Sequence, residues 1–218
     1  NMSHEIRTPM NAIIGFTQLL VSSNISEEKR NDFANIIISS GDQLLSLVND
    51  ILDISRIETG QIKLIHKEVN ITKLLDSLNT VFQLKASAKS LNLVLHNSEN
   101  DLIVKTDETR VRQILSNLLT NAIKYTEKGT IEFGYHTDEN GITFYVKDTG
   151  IGIDEKYITK IFDRFQQEER SIQIGSSGVG LGLSICQGLV HLLNGKLWVN
   201  SEIDKGSAFY FSLPANII

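Results

Sequence analysis

The sequence predicts an α+β protein in which a helical hairpin precedes helices packed on one face of a largely antiparallel sheet. Two observations support this prediction. Through residues 1–60, apolar residues recur at the 3.6-residue period of a helix, and strand-forming runs are scarce. From Gly60 onwards, short β-rich runs alternate with helical segments and with turn signals such as Asn140-Gly141.

The first two predicted elements are helices of roughly 20 and 34 residues. Each carries one apolar stripe, with Ile6, Met10, Ile13 and Leu20 on the first helix and Phe33, Ile37, Leu44, Leu47, Ile51 and Ile54 on the second. Ser26 suits the N-cap of the second helix, and Gly60 suits its end. Because two helices cannot cover both stripes, we expect a homodimer with a four-helix bundle. Packing of the hairpin against the second half of the chain is the alternative.

The second half of the chain contains several shorter predicted elements. The predicted strands are residues 62–65, 93–96, 102–105, 130–135, 142–147, 196–200 and 208–213. The predicted helices are residues 71–90, residues 108–125 and a third that ends near residue 193. Asn70 and Asp107 are suitable N-caps for the first two helices. Residues 150–182 are punctuated by glycine, which is typical of loops.

Composition and charge exclude several classes of protein. The 218 residues are 41% hydrophobic, and a formal net charge of −5 argues against a nucleic-acid partner. No apolar run approaches the roughly 18 to 20 residues of a membrane span, so we expect a cytoplasmic fragment. Any membrane attachment, as in an inner-membrane sensor, would come from segments outside this sequence. The single cysteine, Cys186, lies in an apolar helical run and is expected to be a core thiol.

The first candidate site is His4-Glu5-Ile6-Arg7-Thr8-Pro9, near the start of the first helix. Thr8 lies one helical turn from His4 on the same face. A neutral imidazole can attack phosphorus through one ring nitrogen while Glu5 holds the proton on the other. A zinc-protease motif would need a second histidine at position 8, so that interpretation fails. Pro9 is expected to bend the helix.

The second candidate site is the run 117–125 on the predicted helix 108–125. Asn117 and Asn121 lie one turn apart on one face of this helix. Mg²⁺ takes few protein ligands when it bridges phosphates, so one neutral asparagine carbonyl suits it. The alternative is that both residues are ordinary polar groups on an amphipathic helix.

Two glycine-rich runs form the remaining candidate sites. In Asp148-Thr149-Gly150-Ile151-Gly152, glycines let the backbone turn under a flat base, and a carboxylate can accept a hydrogen bond from an exocyclic amine. In Gly178-Val179-Gly180-Leu181-Gly182-Leu183, backbone N–H groups at the start of a helix can bind phosphate. Neither run is a P-loop, because no Gly-Lys-Ser/Thr follows, and the dinucleotide-binding spacing is also absent.

Together these four runs resemble the H, N, G1 and G2 boxes of the sensor histidine kinases of two-component systems. The resemblance covers nearly the whole chain. It implies that residues 1–62 form a dimerisation and histidine phosphotransfer domain and that residues 67–218 form a catalytic ATP-binding domain. The latter would have the Bergerat α/β sandwich fold shared with gyrase, Hsp90-type and MutL-type ATPases.

The resemblance also implies an activity and its partners. ATP would phosphorylate His4, and the phosphoryl group would pass to an aspartate of a response regulator receiver domain, either separate or fused in the parent protein. The same chain would dephosphorylate that regulator, with Glu5 as the base for the kinase reaction and Thr8 positioning water for the phosphatase reaction.

The remaining implied roles concern the nucleotide. The nucleotide-binding residues would be Asn117, Asn121, Lys124, Tyr125, Asp148, Gly150, Gly152, Gly178, Gly180, Leu181 and Gly182, with Asn121 as the Mg²⁺ ligand. The run Ile161-Phe162-Asp163-Arg164-Phe165 resembles the F-box, and residues 166–177, including Arg170, are expected to form a mobile lid.

Two rival functions are less favoured by particular residues. An ATPase of the same superfamily would carry a glutamate in place of Asn117 to activate water, and an amide cannot act as a base. A degenerate module that only binds nucleotide or a partner would not need His4, Asn121 and Asp148 together.

Overall fold

The computed structural model describes residues 2–21, 25–96, 101–139, 141–166 and 180–214. The chain divides into two compact units, Asn1–Thr59 and Gly60–Ile218. In the described ranges the first unit is helical, and the second combines helices with a five-stranded and a two-stranded sheet. Within these ranges no helix has both the length and the apolar character of a membrane span.

The first unit is a hairpin of α1 (Met2–Val21) and α2 (Glu27–Glu58). Ser26 caps α2 by accepting a hydrogen bond from the N–H of Lys29. Gly60, just past the end of α2, has a φ of 65°, which is the usual left-handed termination of a helix. The hairpin and both of its predicted caps are therefore confirmed. The helix α1 runs unbroken through Pro9.

The hairpin leaves many apolar side chains exposed. The aromatic rings of Phe16 and Phe33 lie 5.3 Å apart between the two helices, and Leu47 is only 1% exposed. Met10 was expected in the covered stripe but is 43% exposed. The other exposed apolar side chains are Ile14, Leu19, Val21, Ile38, Leu45, Val48 and Leu52. A hairpin with this much apolar surface requires another surface to cover it.

The second unit is built from seven strands and four helices in its described part. The strands are β1 (Lys67–Asn70), β2 (Asn92–His96), β3 (Ile103–Thr106), β4 (Thr130–Asp138), β5 (Gly141–Asp148), β6 (Lys196–Glu202) and β7 (Gly206–Leu213). The helices are α3 (Ile71–Ala88), α4 (Glu108–Tyr125), α5 (Glu155–Ile158) and α6 (Gly182–Leu192). The large sheet has the order β2-β4-β5-β7-β6 and is antiparallel except where β2 meets β4.

The predicted strand at residues 62–65 is wrong. Residues 61–66 form no regular structure, and the strand is β1, which pairs antiparallel with β3. The N–H of Ile65 donates to Oδ2 of Asp107 at 2.9 Å, so it is not available for a sheet. Val69 of β1 is the residue that reaches the core, at 4% exposure.

The core lies between one face of the large sheet and the helices α3, α4 and α6. Phe144 and Phe211 stack on neighbouring strands with ring centroids 4.7 Å apart, and both are fully buried. Helix α4 packs against β5, and its apolar face includes Leu118 and Leu119, which are also fully buried. Cys186 on α6 is buried, as predicted for a core thiol. This packing fixes the end of α4 beside the end of β5.

Candidate functional site

A cleft in the second unit lies where α4, β5 and the start of α6 meet. It contains about 610 Å³ of space that no protein atom fills, part of it open to solvent. Its lining consists of Asn121, Ala122, Tyr125, Asp148, Ile151, Gly152, Ile153, Ile161, Gln166, Leu183, Ser207 and Phe209. Most of these side chains are apolar, so the few polar groups determine what the cleft can recognise.

Asp148, the last residue of β5, is the charged group of the cleft. Its Oδ1 accepts hydrogen bonds from the N–H groups of Gly150 at 2.9 Å and of Ser207 at 3.2 Å. No described residue donates to Oδ2, which therefore stays available to a ligand. Burial raises the pKa of this carboxyl group, and the two backbone N–H bonds offset part of that rise.

Two glycines allow the loop after β5 to pack against its neighbours. A Cβ on Gly150 would collide with the carbonyl oxygen of Tyr125. Gly152 has a φ of 67°, and a Cβ there would collide with the carbonyl oxygen of Glu202. A larger residue at either position would collide with these carbonyl oxygens, displace the loop and move Asp148.

Helix α4 brings four of the predicted residues to this region. Asn121 and Tyr125 line the cleft, and the side chain of Asn121 makes no hydrogen bond to any described residue. Lys124 lies beside Tyr125, with Nζ 3.0 Å from the phenol oxygen and 4.6 Å from the ring centroid. Asn117 lies outside the cleft lining, and its Nδ2 donates to the carbonyl oxygen of Gly182 at 3.5 Å.

The glycine-rich run before α6 is only partly described. Gly178 lies outside the described residues, and so does most of the predicted lid, 167–177, with Arg170. Gly180 has a φ of 70°, and its carbonyl oxygen accepts the N–H of Phe165 at 3.0 Å. Leu181 is buried and precedes the first turn of α6, which has no side-chain cap. Among the described residues no side chain caps the N–H groups of that turn, so they suit an acceptor near Asn117.

The described residues of the cleft fit an adenine nucleotide. A flat base is suited to the apolar walls, and Oδ2 of Asp148 can accept from an exocyclic amine. Asn121 offers one unpaired amide, which fits a Mg²⁺ ion that takes its other ligands from phosphates and water. Among the described residues no group of three His, Cys, Asp or Glu could hold a metal ion, so an ion here would need this sparse ligand set.

The predicted phosphoacceptor lies in the other unit, on the first turns of α1. The side chains of His4 and Thr8 are exposed, and that of Glu5 is half-buried. Oγ1 of Thr8 donates to the carbonyl oxygen of His4 at 3.2 Å, as threonines commonly do inside helices. An exposed imidazole is free to meet a phosphoryl donor.

The cleft contains residues that the sequence did not predict. The most informative is Ser207, at the start of β7, which is 8% exposed and holds Asp148 through its N–H. The run Asp204-Lys205-Gly206 between the predicted strands 196–200 and 208–213 indicates a hairpin turn beside Ser207, but nothing in the sequence pairs that hairpin with the loop after β5. The apolar walls were also missed, since single apolar residues in loops carry no periodicity.

Two family profiles match the chain. Residues 1–60 match the family described as "His Kinase A (phospho-acceptor) domain", and residues 106–217 match "Histidine kinase-, DNA gyrase B-, and HSP90-like ATPase". The chain is 39% identical over 222 residues to the autoinducer 2 sensor kinase/phosphatase LuxQ of Vibrio cholerae, covering 100% of this chain and 26% of that protein. The chain therefore spans about a quarter of the length of this curated relative.

Solved structures of similar fold carry a nucleotide analogue or a partner. Full-length ShkA in complex with AMPPNP has a TM-score of 0.77 and 33% identity, covering 99% of this chain and 45% of that one. The histidine kinase ThkA in complex with the response regulator protein TrrA also has a TM-score of 0.77, with 28% identity, covering 97% of this chain and 59% of that one.

Proposed function

The chain belongs to the sensor histidine kinases of two-component systems, and we propose that it phosphorylates its own His4 with ATP and passes the phosphoryl group to an aspartate of a response regulator. The observation that carries this proposal is the cleft lined both by Asp148, whose Oδ2 accepts from no described residue, and by Asn121, whose side-chain amide bonds to no described residue. This pairing suits a base with an exocyclic amine at one end and a metal-bound phosphate at the other.

The proposed nucleotide contacts follow from these positions. Asp148 would accept from the adenine amine, while Gly150 and Gly152 would hold the loop beneath the base. Tyr125 would line the nucleotide, with Lys124 near the phosphates, and Asn121 would hold Mg²⁺, which neutralises phosphate charge when bound. Asn117, Gly178, Gly180, Leu181 and Gly182 would serve the phosphate end, where the start of α6 supplies uncapped N–H groups.

The proposed reaction requires positioning more than covalent chemistry from the protein. One ring nitrogen of His4 attacks the γ-phosphorus in line, the bond from phosphorus to the β–γ bridging oxygen breaks, and ADP leaves. Glu5 takes the proton from the other ring nitrogen, which becomes acidic as the imidazole gains a bond. Asn117 cannot activate water as a glutamate would, so the histidine is the favoured acceptor.

We assign the phosphate acceptor and the ATP site to two domains. Residues 1–62 form the dimerisation and phosphotransfer domain, and residues 67–218 form the catalytic domain. The exposed apolar residues of the hairpin support a homodimer with a four-helix bundle. A response regulator receiver domain, separate or fused, would take the phosphoryl group, as the complex of ThkA with TrrA suggests by similarity. Attachment of the whole protein to the inner membrane stays a prediction.

Labelling with ATP tests the proposed reaction. The chain incubated with γ-labelled ATP and Mg²⁺ should acquire covalent label that is lost in acid and survives in base, because a phosphoramidate has that stability. The measurement is protein-bound label after each treatment. Label that survives acid would indicate a hydroxyl acceptor, and absence of label would contradict the proposal.

The phosphatase activity should depend on Thr8 more than the kinase activity does. In Thr8→Ala, autophosphorylation should stay within about twofold, while dephosphorylation of a labelled receiver domain should fall about tenfold or more. Alanine suits an exposed helix position, so the fold should persist. Thr17→Ala is a matched control, because Oγ1 of Thr17 also donates to the carbonyl four residues back, that of Ile13, at 2.6 Å. Equal loss of both activities in Thr8→Ala would refute this division of roles.

A further inference from the structure

One side chain outside the cleft lining, Ser201 of β6, contacts two parts of the nucleotide site, the loop after β5 and strand β7. Its Oγ accepts the N–H of Ile153 at 2.9 Å and lies 2.9 Å from the carbonyl oxygen of Gly206. The same Oγ also lies 2.9 Å from Oγ of Ser207, which lines the cleft. Ser201 therefore bonds both to the loop that follows Asp148 and to β7, the strand whose Ser207 N–H donates to Asp148.

The number of protons at these hydroxyl groups fixes their directions. Ser201 has one proton to donate and two lone pairs with which to accept. If Ser201 donates its proton to the carbonyl of Gly206, Ser207 can donate its own proton to Ser201. The contacts of Ser201 with Ile153, Gly206 and Ser207 are then all hydrogen bonds. If the proton goes to Ser207 instead, the carbonyl of Gly206 loses this donor and one bond is lost. The first arrangement is favoured because buried polar groups are normally paired.

This arrangement determines what the cleft offers to a base. When the proton of Ser207 goes to Ser201, Oγ of Ser207 has only lone pairs left to offer to the cleft that Ser207 lines. Oδ1 of Asp148 is taken by two N–H groups, and Oδ2 presents lone pairs as well. This wall of the cleft therefore consists of acceptors. It favours a 6-amino purine, which donates, and opposes a 6-oxo purine, whose oxygen would face other lone pairs.

We infer that Ser201 is a positioning residue for base selectivity: by binding the proton of Ser207 and the loop after Asp148, it keeps this wall acceptor-only and so excludes 6-oxo purine nucleotides. The inference rests on the proposed function, since it concerns the same nucleotide site. Ser201 thus affects which base binds although it does not line the cleft itself.

The test compares ADP with its 6-oxo counterpart IDP, because neither can phosphorylate the protein. Binding to the full chain is measured by calorimetry for the wild type, Ser201→Ala and Ser201→Thr. Ser201→Ala frees the proton of Ser207 to donate to a 6-oxo group and leaves the N–H of Ile153 without its acceptor. The ratio of ADP to IDP affinity should fall about tenfold, with ADP weakened and IDP not weakened. Ser201→Thr keeps the hydroxyl group and should show the wild-type ratio of ADP to IDP affinity.

Controls separate this role from a purely structural one. Ser212→Ala on β7 removes a hydroxyl group that bonds to no described residue, and it should change neither affinity. If Ser201→Ala folds poorly by thermal melting, Ser201→Cys, which keeps most of the volume but bonds weakly, should show the same fall in the ratio. Equal weakening of ADP and IDP, an unchanged ratio in Ser201→Ala, or a reduced ratio in Ser201→Thr would overturn the inference. The proposed function would still stand, because the wild-type chain would bind ADP. A wild-type chain that does not bind ADP would overturn the inference and the proposed function together.

Discussion

His4→Gln should abolish covalent labelling by γ-labelled ATP, a loss of at least about 1,000-fold, while nucleotide binding stays unchanged. Glutamine keeps a polar side chain of similar length but has no nitrogen lone pair able to attack phosphorus. His4 is exposed on α1, in a different compact unit from the cleft, so its replacement should not alter the ATP site. The measurements are bound label and, separately, calorimetric affinity for ADP.

His136→Gln provides the matched control for this variant. His136 is exposed on β4 and does not line the cleft, so its loss should leave labelling intact. Acid-labile label that persists in His4→Gln would mean that another nitrogen accepts the phosphoryl group, and the assignment of His4 would then be wrong. Loss of ADP binding in His4→Gln would instead indicate damage to the fold.

Local signals account for the parts of the fold that were predicted correctly. The cap residues Ser26, Asn70 and Asp107 each accept an N–H three residues ahead, so the information lies within one turn of the helix. The failed strand at 62–65 shows the limit of such signals. Its alternating apolar residues suit a strand, but Asp107, more than forty positions away, takes the N–H of Ile65.

The same contrast applies to the candidate site. Asp148, Gly150 and Gly152 are predictable because one short run contains the carboxylate and the glycines that shape its loop. Ser207 bonds to Asp148 across 59 positions of the chain, and Ser201 bonds to Ile153 across 48. No periodicity or spacing links such residues, because register and loop packing bring them together only when the sheet forms. The residues that hold a ligand-binding group are therefore harder to find than the group itself.

Asp148→Asn should weaken ADP binding about 100-fold or more. The asparagine can keep its oxygen on the N–H groups of Gly150 and Ser207, but its Nδ2 then takes the place of Oδ2 and presents a donor. An adenine amine would meet that donor directly, whereas a 6-oxo base would gain a hydrogen bond. The preference for ADP over IDP should therefore shrink or reverse, as measured by calorimetry with both nucleotides.

The pH dependence of binding gives Asp148→Asn a second readout. Burial raises the pKa of Asp148, and the protonated acid cannot accept through the oxygen that carries the proton. The affinity of the wild type for ADP should thus be highest above this raised pKa and fall as the pH drops through it. The asparagine variant should lack this fall in affinity, because its amide does not titrate. Asp154→Asn makes the same chemical change six positions along, where Asp154 caps α5 and asparagine caps equally well, so ADP affinity should not change. If Asp148→Asn bound ADP as the wild type does, Asp148 would not be the group that recognises the base.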